Sequence, residues 1–241
     1  MDAPKITLRI PSEWSDPGEL LERLPQGYRL TADALVLPDG GQCEFIPMAP
    51  DGQFPGIFES SCRRPPSDHE LAILARYSVN IGLTAPGGSQ ELALAMMRAG
   101  AAFIQAGGAG VFIDNSALAH GGRDWVDMAE DGGSDAISYA FVSIIAGSRE
   151  VRTTGMQVLG FPDLVIASVD AEEASETIVE TVRSLCSNDR PIAAGHILVD
   201  EAGPRFHTVA HPGDDFPPDS PMHNPFGRLK LVSVKEIAEG N

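Results

Sequence analysis

The fold is decided by Ser78-Val-Asn-Ile-Gly-Leu-Thr84, the apolar segment that follows it to Gln105, and Gly110-Val-Phe-Ile-Asp-Asn115. Polar and apolar residues alternate in the first of these, as in a half-buried strand whose successive side chains point to opposite faces. The middle segment has no proline between Ser89 and its end and is rich in Ala, Leu and Met, which favours a helix. Together the three segments predict a βαβ unit with a right-handed crossover.

The chain downstream predicts further strands and a second helix. Residues 137–146 are apolar at both alternating sets of positions, which is typical of a central strand covered on both faces. Residues 164–169 form the next predicted strand, and a capping-box pattern at Asp170 opens a helix to about Cys186. Residues 197–209 predict a closing β-hairpin.

This order of elements predicts an α+β fold. A βαβ unit followed by ββαβ is the split βαβ arrangement of ferredoxin-like domains, in which an antiparallel sheet carries its helices on one face. A doubly wound parallel sheet would need more helical crossovers than the sequence contains. We therefore predict a ferredoxin-like antiparallel sheet.

The N-terminal segment repeats the opening of the same pattern. Residues 5–10 predict a strand, residues 16–24 a short helix and residues 34–46 a hairpin, while Ser67 could cap a second helix. The element order therefore allows two ferredoxin-like halves packed together. The predicted divisions are an N-terminal α+β half with a Pro- and Gly-rich linker over 1–66, the ferredoxin-like core over 67–210, and a Pro- and Asp-rich loop with a terminal strand over 211–241.

The composition restricts the classes of partner. The 241 residues include 34 acidic and 17 basic side chains, and the formal net charge is −17. Phosphate backbones and anionic membranes are bound by clustered Lys and Arg, so we predict neither a nucleic-acid nor a membrane partner. The acidity predicts either solubility alone or a protein partner with a basic surface.

The compartment is indicated by what the sequence lacks. It contains neither a run of about 18 apolar residues nor a cleavable signal pattern. The three cysteines, Cys43, Cys62 and Cys186, are odd in number and widely spaced, which disfavours a disulfide framework or a dense cysteine metal site. We predict a bacterial-type cytoplasmic protein whose oligomeric state the sequence leaves open.

A first candidate site lies in Ala119-His-Gly-Gly-Arg-Asp-Trp125. His120, Arg123, Asp124 and Trp125 supply a titratable ring, two opposite charges and an amphipathic aromatic, which could bind a small polar ligand or act as an acid–base pair. The competing interpretation is structural. In that case Asp124 would cap a short helix and Trp125 would pack into the core.

A second candidate site is a metal site formed by His207, His211, Asp214, Asp215 and His223. These are ligand types suited to zinc or another divalent cation. On one strand, however, His207 and His211 would lie about 13 Å apart, so the chain must turn between them to share an ion. Solvated loop residues are the competing interpretation.

Two glycine-containing segments have structural interpretations that we favour. Residues 85–89 could hold an anion at a helix N-terminus but contain no lysine and no phosphate-loop spacing, so a turn with a helix cap is expected. In residues 153–164, Gly155 and Gly160 are expected to adopt positive φ or tight turns. The chain has no Gly-x-Ser-x-Gly elbow and no zinc helix, and we predict no cofactor.

Some of these segments resemble a known family. Thr154-Gly-Met-Gln-Val-Leu-Gly-Phe-Pro-Asp-Leu-Val-Ile166, with Phe112-Ile-Asp-Asn-Ser-Ala-Leu-Ala-His120 before it and Gly195-His-Ile-Leu-Val-Asp200 after it, is similar to the bacterial family described as domain of unknown function 4261. The resemblance covers residues 78–209 and implies a cytosolic α+β domain. It implies no catalytic residue, and residues 211–227 depart from the pattern.

Two classes of function follow from these observations. An acidic surface without a convergent catalytic set predicts a non-enzymatic binding or protein-interaction domain, of a regulatory or immunity-like kind. The alternative is a hydrolase or metal-assisted enzyme that uses His120 and Asp124, or the residues from His207 to Asp215. A third interpretation is assembly through an exposed sheet face or edge.

Overall fold

The computed structural model describes residues 3–167, 171–188, 190–200, 203–212 and 216–234. The first part of the chain forms one sheet and the helices around it. These elements are β1 (Lys5–Ser12), α1 (Pro17–Arg23), β2 (Arg29–Leu30), β3 (Ala34–Val36), β4 (Gln42–Met48), α2 (Phe54–Ser61), α3 (Asp68–Arg76), β5 (Val79–Pro86), α4 (Gln90–Gln105), β6 (Gly110–Ile113) and β7 (Leu118–Gly121).

The second part of the chain forms another sheet with three α-helices and a short 3-10 helix. Its elements are α5 (Gly122–Asp131), α6 (Ser134–Phe141), β8 (Ser143–Ala146), β9 (Glu150–Thr154), the 3-10 helix Met156–Leu159, β10 (Asp163–Ala167), α7 (Ala171–Asn188), β11 (Ile197–Asp200), β12 (Gly203–Ala210) and β13 (Arg228–Ser233). The α+β class predicted from the sequence is confirmed.

The first sheet has the strand order β2-β3-β4-β5-β1-β6-β7 and pairs its neighbours antiparallel. Strand β1 lies between β5 and β6, with Ile10 opposite Ile81 and Leu8 opposite Ile113. Because both neighbours run antiparallel to β1, β5 and β6 are parallel to each other and are joined by α4. The βαβ unit predicted over residues 78–115 is therefore present, and an N-terminal strand is inserted into it.

The second sheet has the strand order β11-β12-β13-β10-β9-β8. Strands β10 and β13 run parallel, and the other described neighbours pair antiparallel. The hairpin predicted over residues 197–209 is confirmed as β11 and β12. The predicted terminal strand is β13, which is inserted between β12 and β10 rather than added at an edge.

The prediction of a central strand over residues 137–146 is wrong. Residues up to Phe141 belong to α6, and only Ser143–Ala146 form a strand, β8, at the edge of the second sheet. The buried residues of α6 include Ile137, Ala140 and Phe141, which have the spacing of one helix face. A run that is apolar at both parities cannot be distinguished from a buried helix by its periodicity.

Helices cover both faces of the first sheet, whereas the sequence predicted them on one face. The side chains of α1 and α4 share the main core with Val111 and Ile113 of β6. On the opposite face, α2 and α3 contribute Phe58 and Leu74 to a smaller core, against which Phe112 packs. Alternation along β6 therefore sends neighbouring side chains into different cores.

The main core extends across both sheets. It contains Leu8 and Leu83 of the first sheet, Leu164 and Leu229 of the second, and buried residues of α4 and α7. Strands from both sides of residue 66, the predicted division, lie in the first sheet. Along the chain, α5 and α6 separate the strands of the first sheet from those of the second.

Candidate functional site

His120 lies inside the protein, at the end of β7. Its side chain is 2% exposed, and its Nε2 lies 2.9 Å from the carbonyl oxygen of Ala140, to which it must donate. Burial lowers the pKa of the ring to about 4, a shift that the hydrogen bond to Ala140 opposes and the charges of Arg63 and Arg64 reinforce. The ring is therefore neutral and fixed at pH 7.

The other residues of the first candidate site point in different directions. Trp125 is fully buried, and its Nε1 donates to the carbonyl of Met97 at 3.0 Å. Arg123 is exposed on α5. Asp124 lies in the first turn of α5, forms no side-chain cap and pairs with Arg64 at 3.5 Å. Within the first candidate site, only the rings of His120 and Trp125 approach each other, with centroids 5.9 Å apart.

The second candidate site is only partly described. His207 is half-buried on β12, and the backbone N–H of His211 donates to the carbonyl of Arg228. Asp214 and Asp215 lie outside the described residues. His223 lies in the loop before β13, with Nδ1 3.4 Å from the carbonyl of Phe216. Among the described residues, no group of three or more His, Cys, Asp or Glu side chains could hold a metal ion.

The glycine-containing segments have the structures expected of them. Ser89 caps α4 by accepting a hydrogen bond from the N–H of Leu92. Gly155 and Gly160 adopt φ of 95° and 86° on either side of the 3-10 helix. A Cβ atom at Gly155 would lie 2.2 Å from the carbonyl oxygen of Phe141, so a side chain is excluded there by contact as well as by conformation.

A groove of about 570 Å³ lies beside the start of β1. One wall contains Lys5 and Thr7 of β1 with Asp114, the residue after β6. The other wall is the loop that leads to β13. The lining residues are Ala3, Pro4, Lys5, Thr7, Asp114, Gln157, Pro218, Asp219, Ser220, Pro221, His223 and Pro225.

Asn115 joins the two walls of the groove. Its Oδ1 accepts a hydrogen bond from the N–H of Thr7 at 3.0 Å, and its Nδ2 donates to the carbonyls of Lys5 and Pro221 at 2.8 and 2.9 Å. The side chain is 1% exposed. Since Asn115 follows the strand end at Asp114, the short turn into β7 fixes one rim of the groove.

Gln157 of the 3-10 helix forms part of the lining and leaves an acceptor unpaired. Its Nε2 donates to the carbonyl of Pro221 at 3.1 Å, which assigns the other atom of the amide as Oε1. That oxygen is buried and has no hydrogen-bond partner in the described structure, and the same holds for the hydroxyls of Ser116 and Thr154. Buried polar atoms without partners are uncommon and mark a place for water or ligand.

A buried carboxyl group anchors the loop that forms the second wall. Asp163, 4% exposed, accepts hydrogen bonds from Asn224 Nδ2 at 2.9 Å and from Thr153 Oγ1 at 3.0 Å. Burial raises the pKa of Asp163 to about 6, although these donors oppose the shift. Asn224 also donates to the carbonyl of Phe161 at 3.1 Å, so the loop is held at its C-terminal end.

The groove presents mainly acceptors. Asp114, whose side chain is 10% exposed, pairs with Arg9 at 2.7 Å, yet burial still raises the pKa of the carboxyl. Asp219 is exposed on the opposite wall. The four prolines in the lining have no backbone N–H to donate. Lys5 is the cationic side chain among the lining residues.

Sequence reasoning selected His223 from this groove, as a metal ligand, and missed Asp114, Asn115 and Gln157. A signal was available for the first two, because polar residues directly after a strand commonly lie in binding loops. No periodicity marks Gln157, since it is placed by a short 3-10 helix between two glycines with positive φ.

Comparisons with family models, with curated proteins and with solved structures found no match. The resemblance to domain of unknown function 4261 therefore stays a prediction. None of the described helices is both long and apolar enough to cross a membrane.

Proposed function

We propose that this chain is a non-enzymatic binding protein whose groove accepts a basic segment of a partner protein. The observation that carries the proposal is the excess of acceptors in the lining, with Asp114 and Asp219 on opposite walls and proline backbone between them. A Lys or Arg side chain would donate to these acceptors and would add to the one lysine, Lys5, that faces the two carboxylates in the lining.

The charge of the whole chain supports the same choice of partner. A net charge of −17 attracts a basic protein over distances of about a Debye length and speeds the encounter. Neither Cys43 nor Cys62 forms a disulfide bond with a described residue, which agrees with a partner in the cytoplasm. We place the regulatory or immunity-like role predicted from the sequence within this class.

The enzymatic alternative has less support. A general base must reach its substrate, whereas His120 is 2% exposed and already donates to the carbonyl of Ala140. Asp124 is paired with Arg64 on the surface rather than with His120. The alternative that depends on residues 207–215 includes two aspartates outside the described residues.

We also propose that the first sheet is a ferredoxin-like unit. Strands β6-β1-β5-β4 stand in the sheet in that order, and the chain visits them as β1, α1, β4, β5, α4 and β6. This order corresponds to the split βαβ pattern with β2 and β3 inserted before β4, and with α2 and α3 inserted between β4 and β5. On this proposal the unit occupies residues 5–113 rather than 67–210.

The test of the binding function is titration with a tetralysine peptide at low salt, followed by calorimetry and by amide chemical shifts. We expect shifts centred on Thr7, Asp114 and the loop at Asp219. The Asp219→Asn variant should bind about twofold to fivefold more weakly, because Asp219 is exposed and screened. The Asp114→Asn variant should lose more affinity for the peptide, because the Asp114 side chain is only 10% exposed and its charge is screened less.

The matched control is Asp127→Asn, which removes one exposed carboxylate from α5 and leaves the groove unchanged. Its affinity for the peptide should equal that of the unaltered protein. Equal weakening in the Asp127 and Asp219 variants would mean that the peptide responds to net charge alone, and the groove would then have no binding role.

A further inference from the structure

Arg63 occupies an unusual position for a cation in an acidic protein. It follows α2, and its backbone N–H donates to the carbonyl of Ala119 of β7 at 3.4 Å. Its guanidinium lies 4.5 Å above the ring of Tyr139 and donates from Nη2 to the carbonyl of Val142. The side chain is thus held between the end of α2 and the end of α6.

No carboxylate neutralises this guanidinium within the described residues. Nε of Arg63 is buried and has no hydrogen-bond partner there. Burial lowers the pKa of Arg63, and the one group that opposes the shift is Tyr139. The chain contains 34 acidic residues, yet Arg63 forms no ion pair with any described one. Arg63 is partly buried, and a partly desolvated charge without a counter-charge among the described residues is unfavourable, so this guanidinium favours an anionic partner.

A small cavity adjoins this guanidinium. It has a volume of about 40 Å³, and its polar lining consists of Arg63, Ser138, Tyr139 and Arg183. Space of this size holds a few non-hydrogen atoms, and therefore one small oxyanion group rather than a whole cofactor. The cavity lies between α6, α7 and the start of β8.

Arg183 supplies a second positive charge to the same cavity from α7. It is exposed and forms no ion pair with a described residue, whereas Glu180, one turn earlier, pairs with Arg205 at 3.2 Å. Two arginines that form no ion pair with a described residue therefore line one cavity.

We propose that Arg63 and Arg183 bind an oxyanion group, a carboxylate or a phosphate, in this cavity. The guanidinium of Arg63 lines the cavity and has N–H donors beyond the one that Nη2 gives to the carbonyl of Val142, and Arg183 covers the anion from α7. The hydroxyl of Tyr139 is a further donor in the lining. The site is separate from the groove and does not depend on the function proposed for it.

The experiment is titration of the unaltered protein with inorganic phosphate and, separately, with acetate at constant ionic strength. The Arg side-chain Nε–H signals are observed by ¹⁵N NMR, and the melting temperature is measured in parallel. We expect a saturable shift of the Arg63 signal and a saturable rise in melting temperature. The tighter of the two anions identifies a tetrahedral or a carboxylate ligand.

Three variants, one of them a control, make the outcome decisive. Arg183→Gln changes an exposed residue and should weaken anion binding about twofold to fivefold, whereas Arg23→Gln on α1 should bind as the unaltered protein does. Arg63→Met should abolish the saturable rise in melting temperature. If that variant does not fold, the proposal is decided by the Arg63 Nε–H signals of the unaltered protein and of Arg183→Gln. A non-saturating Arg63 signal with both anions, or equal weakening in the Arg183 and Arg23 variants, would overturn the proposal.

Discussion

At the scale of single side chains, burial shifts the pKa values of two residues in opposite directions, down for His120 and up for Asp163. The folded pKa of His120, about 4, lies below its ordinary value of 6.5. The folded protein therefore binds fewer protons there than the unfolded chain. The resulting stabilisation is present above pH 6.5 and is lost as the pH falls towards 4.

Replacing His120 with Gln should remove this dependence on pH. Relative to the variant, the unaltered protein should lose about 2 kcal/mol of unfolding free energy between pH 7 and pH 5, because the unfolded imidazole becomes protonated. Urea unfolding of both proteins at the two pH values measures the difference. An equal change in both proteins would show that His120 is accessible to protons in the folded state.

The contribution of Asp163 to stability depends on pH in the opposite direction. Its folded pKa, about 6, lies above its ordinary value of 3.8, so its contribution is fully present below pH 3.8 and is lost as the pH rises through 6. Relative to Asp163→Asn, the unaltered protein should lose about 1 kcal/mol between pH 5 and pH 7. The same urea measurements test this, and a loss in the reverse direction would contradict the assignment of a raised pKa.

At the scale of elements, α4 depends on a glycine in its interior. A Cβ at Gly100 would lie 2.7 Å from Nε1 of Trp125 and 3.3 Å from Cδ1 of Leu8. Glycine in a helix is unfavourable by about 1 kcal/mol relative to alanine, so its place here reflects the close approach of the indole. The hydrogen bond from Trp125 to Met97 fixes that ring against the helix.

The Gly100→Ala variant should therefore be less stable by about 1–3 kcal/mol, because overpacking outweighs the gain in helix propensity. The matched control is Gly56→Ala in α2, where no atom lies within 4 Å of the added Cβ. That variant should gain about 0.5–1 kcal/mol. Thermal and urea unfolding of the two variants measure the change in unfolding free energy of each. Stabilisation by Gly100→Ala would show that Trp125 can move away.

The elements that could be predicted from sequence are those with a local signal. Alternation predicted β5, and a segment rich in good helix formers behind the N-cap Ser89 predicted α4. Residues 137–146 carried no such signal, because a run that is apolar at both parities suits a buried helix as well as a strand. This ambiguity is the physical reason why a strand was predicted where α6 forms.

At the scale of the whole molecule, the two sheets share one core, and both proposed sites lie where separate parts of the chain meet. The groove is formed by β1, by the turn after β6 and by the loop that Asn224 fastens to Asp163. The cavity at Arg63 is formed by the end of α2 with α6 and α7. Long-range contacts place these side chains, so spacing in the sequence does not reveal them.

The sequence by itself determined the α+β class, the βαβ unit, the closing hairpin and the acidic surface, because each depends on local periodicity, turn residues or composition. Only the tertiary structure decided that β1 enters between β5 and β6, and that β13 enters between β12 and β10. Strand pairing is a competition among distant segments with similar patterns. Packing also buried His120 and left Arg63 partly buried without a carboxylate partner among the described residues, which residue type alone does not reveal.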